Sequence, residues 1–214
     1  PVVRSNYEDK HVGADELADY ARAQGLQALV RVHGSTALLK TLLSNGLPVM
    51  MPTWHVDSKG QQMGHYRLVT GYDDAAQEWI VYDSLETRGV SADAPYRGVR
   101  IAYAEFEEHW QILNHLYVIV YPADRAALVT VIVGEDLDDA GMWQRSLERA
   151  REHLATHPDN AFAWFTLGTN LLNNALPTEA AQAFDQARLI GLPFRMLWYQ
   201  FGPLQAYYEV GRYA

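Results

Sequence analysis

The first 122 residues alternate between helical and strand-like patterns of apolar positions. Apolar residues recur at helical spacing over residues 14–24 and again over 37–44, and each run is followed by a glycine, Gly25 and Gly46. Ser35 precedes the second run and is the expected N-cap, because its hydroxyl can accept from a free amide of the first turn. These patterns predict two short amphipathic helices.

Strand-like runs follow the second helix. Residues 48–52 are apolar on both faces and predict a buried central strand with a proline at each end. Residues 65–70 and 78–83 predict a hairpin closed by a polar turn at 73–77, whereas the polar run 55–62 predicts a loop. Further strands are predicted at 29–32, 99–103 and 116–121, a short helix at 104–110 and a loop at 86–98. Helices first and hairpins later predict an α+β domain over 1–122.

The remaining residues, 123–214, predict an all-helical domain with an internal repeat. Counting the roughly 34-residue tetratricopeptide (TPR) pattern from Ala161 puts Pro193 next to its closing proline. The helix predicted at 142–156 matches the second helix of a preceding repeat. The residues that match in register are Trp164, Leu167, Gly168, Ala180, Phe184 and Ala187, and Trp198, Phe201 and Gly202 begin the next repeat. The pattern predicts a TPR solenoid.

The last repeat lacks its second helix, so we expect the C-terminus to be cut within a repeat. An incomplete repeat exposes an apolar face, which favours self-association into a homo-oligomer. Aromatic residues are dense in this part, and we expect them to form the core between helices, with those outside the pattern lining a groove for a peptide or protein partner. They are Trp164, Phe165, Trp198, Tyr199, Phe201, Tyr207 and Tyr208.

Composition narrows the classes of function. Apolar residues make up 49% of the 214 and charged residues 20%, as in ordinary globular proteins. The net charge of −9 argues against a nucleic-acid partner, and no apolar run is long enough to span a membrane. No phosphate loop or dinucleotide fingerprint is present, so no cofactor is predicted. The absence of cysteine excludes disulfides and thiol chemistry within these residues.

Two residues of the predicted hairpin are the candidates for chemistry. His65 opens one strand after Gly64, and Asp83 closes the next strand, so a hairpin could bring both to one sheet edge. In such a pair the carboxylate accepts the Nδ1–H of the imidazole, fixes its tautomer and supports its charged form, while the imidazole deprotonates a nucleophile. The plainer interpretation is structural, with a histidine and an acid that bond nearby backbone groups. Asp73 and Asp74 are assigned to the turn.

Two rival uses of these residues are weaker. His55, His65 and Asp83 could in principle bind zinc, but their spacing matches no compact ligand motif and no metal is predicted. A Ser-His-Asp hydrolase would need a nucleophile elbow, and no Gly-x-Ser-x-Gly sequence exists. Ser35 and Ser84 have sufficient roles as a cap and a strand-end residue.

The hairpin resembles the bacteriocin-processing-like, papain-like cysteine peptidases. In that family Gly-His-Tyr leads through a β-branched run to Gly-Tyr-Asp, as in residues 64–73 here, and a following strand ends in Asp-Pro, where this chain has Asp83-Ser84. The helix, Gly-x-Pro and buried strand at 38–49 also match, and the resemblance covers about 7–121. It implies a papain-like fold, with an antiparallel sheet and flanking helices, and a Cys-His-Asp site in which His65 is the base and Asp83 the orienting acid.

The family's cysteine opens a helix in a Cys-Gly-Pro motif, with a nearby glutamine that helps build the oxyanion hole, and neither is present here. In the family that helix precedes the segment matching 7–10, so we expect the nucleophile to lie upstream of Pro1, and this chain alone to be inactive. The leading hypothesis is a cysteine peptidase-like protein fused to TPR repeats that present a peptide. The alternatives are a non-catalytic binding module on a degenerate peptidase fold and a plain repeat scaffold. The compartment stays open, with a lean towards an extracytoplasmic bacterial protein.

Overall fold

The computed structural model of the protein describes residues 12–56, 59–60, 62–85 and 89–213, and for Tyr199 the backbone alone. The strands are β1 Gln27–Arg31, β2 Val49–Val56, β3 Gln62–Asp73, β4 Glu78–Tyr82, β5 Val99–Ala102 and β6 Tyr117–Tyr121. The helices are α1 Ala14–Ala23, α2 Thr36–Ser44, α3 Tyr103–Gln111, α4 Ala126–Val133, α5 Asp139–Thr156, α6 Ala161–Asn173, α7 Pro177–Ile190, α8 Met196–Tyr199 and α9 Gly202–Glu209. Short 3-10 turns flank α4 at Ala123–Arg125 and Gly134–Leu137.

The strands form one antiparallel sheet in the order β1-β6-β2-β3-β4-β5. A sheet with helices packed against it is the α+β architecture that the sequence predicts. Ser35 caps α2 as expected, because its hydroxyl accepts from the amide of Leu38. Asp73 lies at the β3–β4 turn as expected, and its Oδ1 accepts from the amides of Ala75 and Ala76.

The strand β2 differs from its prediction. It continues through Pro52, which pairs with Tyr66, and it includes His55, which the sequence placed in a loop. Beyond Met50 the described pairing of β2 is with β3 alone, because β6 pairs only with Val49 and Met50. A proline is tolerated there because an edge position needs no amide hydrogen on its open side.

One hydrophobic core lies between the sheet and the helices α2, α3 and α4. Its fully buried members include Leu39, Trp79, Phe106 and Trp110, which come from both layers. The helix α4 lies in the part predicted to be all-helical, but its bounds were not predicted, because its sequence, AALVTVIV, is apolar on nearly every side, and a short apolar run cannot be told from a strand by periodicity. Although α4 follows residue 122, its Val129 and Val133 belong to this core.

A second core forms among the C-terminal helices and reaches the sheet. The helices α6 and α7 are joined by three residues and pack together, with Phe165 against Phe184 at 5.1 Å between ring centroids. Gly168 allows this approach, because a Cβ there would lie 2.7 Å from the Phe184 ring. Trp54 of β2 joins the same cluster and lies 5.9 Å from the ring of Phe162.

The last helices differ from the repeat prediction. The expected continuous helix is broken into α8 and α9, and Trp198 and Phe201 are 50% and 58% exposed. The prediction that these pattern aromatics are buried between helices is therefore wrong at both positions. Phe165, which lies outside the pattern and was expected to line a groove, is buried instead. Within the described part of the chain, no helix has the length and apolar character needed to cross a membrane.

Candidate active site

The candidate site lies at the end of β3, where the hairpin with β4 places three polar side chains together. In the β2–β3 ladder, His65 pairs with Thr53 and Arg67 with Met51. His65 and Arg67 are two residues apart on one strand, so they point to the same face of the sheet. Asp83 follows β4 directly, and its amide donates to the carbonyl oxygen of Tyr96 at 2.8 Å.

The structure brings His65 and Asp83 into contact. The Nε2 atom of His65 lies 2.7 Å from Oδ1 of Asp83, and the two side chains are 10% and 0% exposed. The prediction that Asp83 accepts from Nδ1 is therefore wrong. The ladder pairs Leu68 with Tyr82, which places Asp83 beside Arg67 and diagonal to His65. The outer ring nitrogen, Nε2, is the one that reaches across this diagonal.

Arg67 completes the arrangement, and the sequence analysis missed it. Its Nε donates to Oδ2 of Asp83 at 2.6 Å, and its Nη1 donates to the hydroxyl of Thr53. Arg67 is only 6% exposed. The alternation along β3 could have indicated it. His65, Arg67 and Val69 lie two residues apart and share one face of the strand, and Val69 is buried, so the charged Arg67 also faces inward.

Asp83 is held as an anion by donors on both of its oxygens. Burial alone would raise the pKa of its carboxyl, but hydrogen bonds from His65, Arg67 and the Leu85 amide, the last at 2.8 Å, hold that pKa well below its usual range. A carboxylate fixed in this way determines the orientation of the imidazole. The contact of Nε2 with Asp83 leaves Nδ1 as the ring nitrogen that the carboxylate does not bind.

His55 lies next to the pair. Its ring contacts the ring of His65 edge-on, with 5.8 Å between centroids. His55, His65 and Asp83 are the three residues that the sequence offered as alternative zinc ligands. No group of three ligands able to hold a metal ion is found in the portion of the chain that the structure describes. Residues 86–88 of the predicted neighbouring loop, and residues 7–10 of the family match, lie outside the described residues.

Comparisons with known proteins identify the class of this chain. The model of the Peptidase_C39 like family matches residues 4–118, which is more than half of the chain, and the protein belongs to this family. The match confirms the papain-like peptidase part of the resemblance and contains both His65 and Asp83.

A solved structure is also similar, that of a C39-like peptidase from Bacillus anthracis, with a TM-score of 0.38 and 16% sequence identity. The similarity covers 54% of this chain and 62% of that one, so the chain spans less than two thirds of that protein's length. No curated protein matches the sequence.

Proposed function

We propose that His65 and Asp83 are the base and the orienting acid of a papain-like amide hydrolase site. The observation that carries the proposal is the contact between Nε2 of His65 and the buried carboxylate of Asp83, which directs Nδ1 away from the acid. An imidazole whose outer nitrogen is fixed by a carboxylate is in the tautomer that accepts a proton at the other nitrogen.

The reaction requires a thiol that these 214 residues do not contain. A thiol supplied from outside them would give its proton to Nδ1 of His65, and the thiolate would attack the carbonyl carbon of a peptide bond. The imidazolium would then return the proton to the leaving amine, and water would hydrolyse the thioester with His65 as base. Asp83 would accept the Nε2–H bond throughout and stabilise the charged ring.

A second candidate function, a non-catalytic binding module, is favoured by Arg67. Its guanidinium neutralises the charge of Asp83 in the resting state, with a 2.6 Å contact between Nε and Oδ2. The carboxylate is therefore shared between a permanent cation and the imidazole, which weakens the support that Asp83 gives to an imidazolium. In this function the polar cluster stabilises the hairpin, and the fold and the repeats hold a peptide.

For the C-terminal residues 123–214 we propose TPR-type repeats that bind a peptide or protein. The packing of α6 on α7 supports this assignment, because Gly168 and Phe184 meet at the positions where the pattern requires a small residue against a large one. Ala180 and Ala187 of α7 are fully buried, as the pattern requires. Residues 1–122 would then be the peptidase-like domain, with contacts between the two parts through Trp54 and α4.

The test compares the wild type with His65→Gln and with a matched control, His157→Gln, which removes an exposed histidine. Hydrolysis of a fluorogenic peptide and of 4-nitrophenyl acetate is followed with and without a small thiol such as 2-mercaptoethanol. We expect turnover that increases with thiol and is lost in His65→Gln but kept in His157→Gln. Nitrogen NMR should find the His65 proton on Nε2.

Equal rates for His65→Gln and the wild type, with and without thiol, would refute the hydrolase proposal. Peptide binding that survives His65→Gln under the same conditions would then favour the binding module.

A further inference from the structure

A cavity of about 390 Å3 lies between α3 and the helices α5 and α6, away from the hairpin site. This volume is within the range of roughly 300–1,000 Å3 that small-molecule sites occupy. Its lining, as far as the structure describes it, includes neither His65 nor Asp83. The cavity is therefore a separate candidate site, and it does not depend on the proposed hydrolase activity.

The walls of the cavity combine apolar and neutral polar groups. Ile112, Ala150 and Ala163 supply apolar surface that is almost fully buried, and Thr166 and His153 add neutral polar groups. Burial and the nearby His157 and Arg149 lower the pKa of His153 below its ordinary value, so its ring is uncharged at neutral pH. Such walls suit a ligand with an alkyl chain and a polar end.

The charges at the cavity leave one carboxylate unbalanced. Arg149 is neutralised by Glu107, with 3.6 Å between Nη2 and Oε1, and its Nη1 donates to the carbonyl oxygen of Gly34 at 2.6 Å. Glu107 also contacts Nε2 of His115 through the same Oε1 at 2.7 Å. Glu108 lines the cavity and forms no ion pair with another described residue. The lining therefore carries a net negative charge.

We propose that this cavity binds an alkylammonium group, with the methylenes against Ile112 and Ala163 and the cation at Glu108. A lysine side chain of a peptide and a free aliphatic diamine share this chemistry. The negative charge of the whole chain, −9, would favour the approach of either cation. The uncharged histidines leave the cavity without a competing positive charge beyond the paired Arg149.

The experiment measures binding by calorimetry and by NMR shifts of the His153 ring. The probes are acetyl-Gly-Lys-Gly-amide, its norleucine analogue, and 1,5-diaminopentane. We expect the lysine peptide or the diamine to bind about threefold to fivefold more tightly than the norleucine peptide, as for an ion pair with an exposed carboxylate. Binding of the lysine peptide without the diamine identifies a peptide ligand, and the reverse identifies a free amine.

Three variants test the location. Glu108→Gln should weaken binding of the cation about threefold to fivefold, because Glu108 is exposed and its ion pair is screened, whereas Glu179→Gln, which removes an exposed charge on α7, should leave affinity unchanged. Thr166→Met, which fills the cavity, should weaken every probe that binds, and thermal melting checks that it folds. An affinity for the norleucine peptide equal to that of every cation that binds, equal effects of the two glutamate variants, or no binding of any cation at millimolar concentration would overturn the proposal. His65→Gln should not change the affinity, so the two proposals fail independently.

Discussion

Two histidine–carboxylate pairs in this protein have the same contact distance and opposite surroundings. In each, Nε2 lies 2.7 Å from a carboxylate oxygen, of Asp83 for His65 and of Glu107 for His115. In the first pair the nearby cation, Arg67, bonds the far oxygen of the acid. In the second the cation contacts the imidazole itself, with 3.1 Å between Nη2 of Arg149 and Nε2 of His115.

The position of the cation decides what each imidazole can do. A cation beyond the carboxylate fixes the acid and shares its charge with the imidazole, whereas a cation against the ring disfavours the imidazolium directly. Burial and Arg149 accordingly keep the pKa of His115 below its ordinary value, against the opposing effect of its hydrogen bond to the Glu107 carboxylate. A short contact between a histidine and an acid is therefore not enough to identify a catalytic base.

The two histidines also lie in different backbone conformations. His65 lies on a regular strand, paired with Thr53. His115 lies in a turn where both it and Asn114 have positive φ, 50° and 58°, a conformation that costs a non-glycine residue about 1–3 kcal/mol. The turn is stabilised by Asn114, whose amide exchanges hydrogen bonds with Asn170 of α6.

The two pairs should differ most in the free energy of unfolding that is lost when each carboxylate is replaced by its amide. Asp83→Asn leaves the buried Arg67 uncompensated and should lower the free energy of unfolding by about 3–5 kcal/mol. Glu107→Gln should cost about 1 kcal/mol or less, because its side chain is 42% exposed and the ion pair is screened. Urea denaturation measures both. Similar losses for the two variants would show that the carboxylates are equally important for stability and would remove the contrast.

The next effect is a loss of stability in acid that depends on Arg67. Because the folded-state pKa of Asp83 is depressed, its contribution is present above the ordinary value of 3.8 and is lost as the pH falls below it. Arg67→Gln removes one donor and should raise this pKa, so that less of the contribution remains to be lost. Stability curves between pH 5 and 2 would show a shallower acid decline in the variant. Arg22→Gln, at an exposed pair with Asp19, is the control and should retain the wild-type slope.

A smaller dependence on pH is expected from the second pair. His115 and His33 both have pKa values lowered mainly by burial, so the unfolded chain binds more protons below the ordinary value of 6.5. The free energy of unfolding should therefore decrease as the pH falls through that region. His115→Gln should reduce this slope, while Arg22→Gln, at an exposed ion pair, should not. A slope unchanged by His115→Gln would contradict the assignment of a neutral, buried ring.

The smallest expected effect concerns Arg149 alone. Replacing it with glutamine removes the cation beside the ring of His115, and the pKa of His115 should rise towards its ordinary value. Proton NMR of the ring signals during a pH titration measures the shift, with Arg145→Gln as a control on the same helix. A fall in the pKa of His115 would mean that Arg149 acts mainly by excluding water and not by its charge.

The sequence was most informative where local patterns decide the outcome. The sheet strands, the cap at Ser35, the turn at Asp73 and the juxtaposition of His65 with Asp83 all follow from alternation, turn chemistry and the hairpin. Local patterns did not predict that β2 continues through Pro52. A proline is tolerated there because β6 pairs with β2 only as far as Met50. Local patterns were also insufficient for α4, whose apolar sequence carries no usable period.

By itself, then, the sequence determined the α+β class, the family and the proximity of His65 and Asp83 in the hairpin, because each rests on short-range spacing. Tertiary structure alone decided that Nε2 faces Asp83, that Arg67 shares this carboxylate, and that Arg149 contacts His115 from α5. These contacts join separate elements of the fold, and their electrostatic effect depends on distances of a few ångströms and on burial. No periodicity in the sequence encodes those quantities.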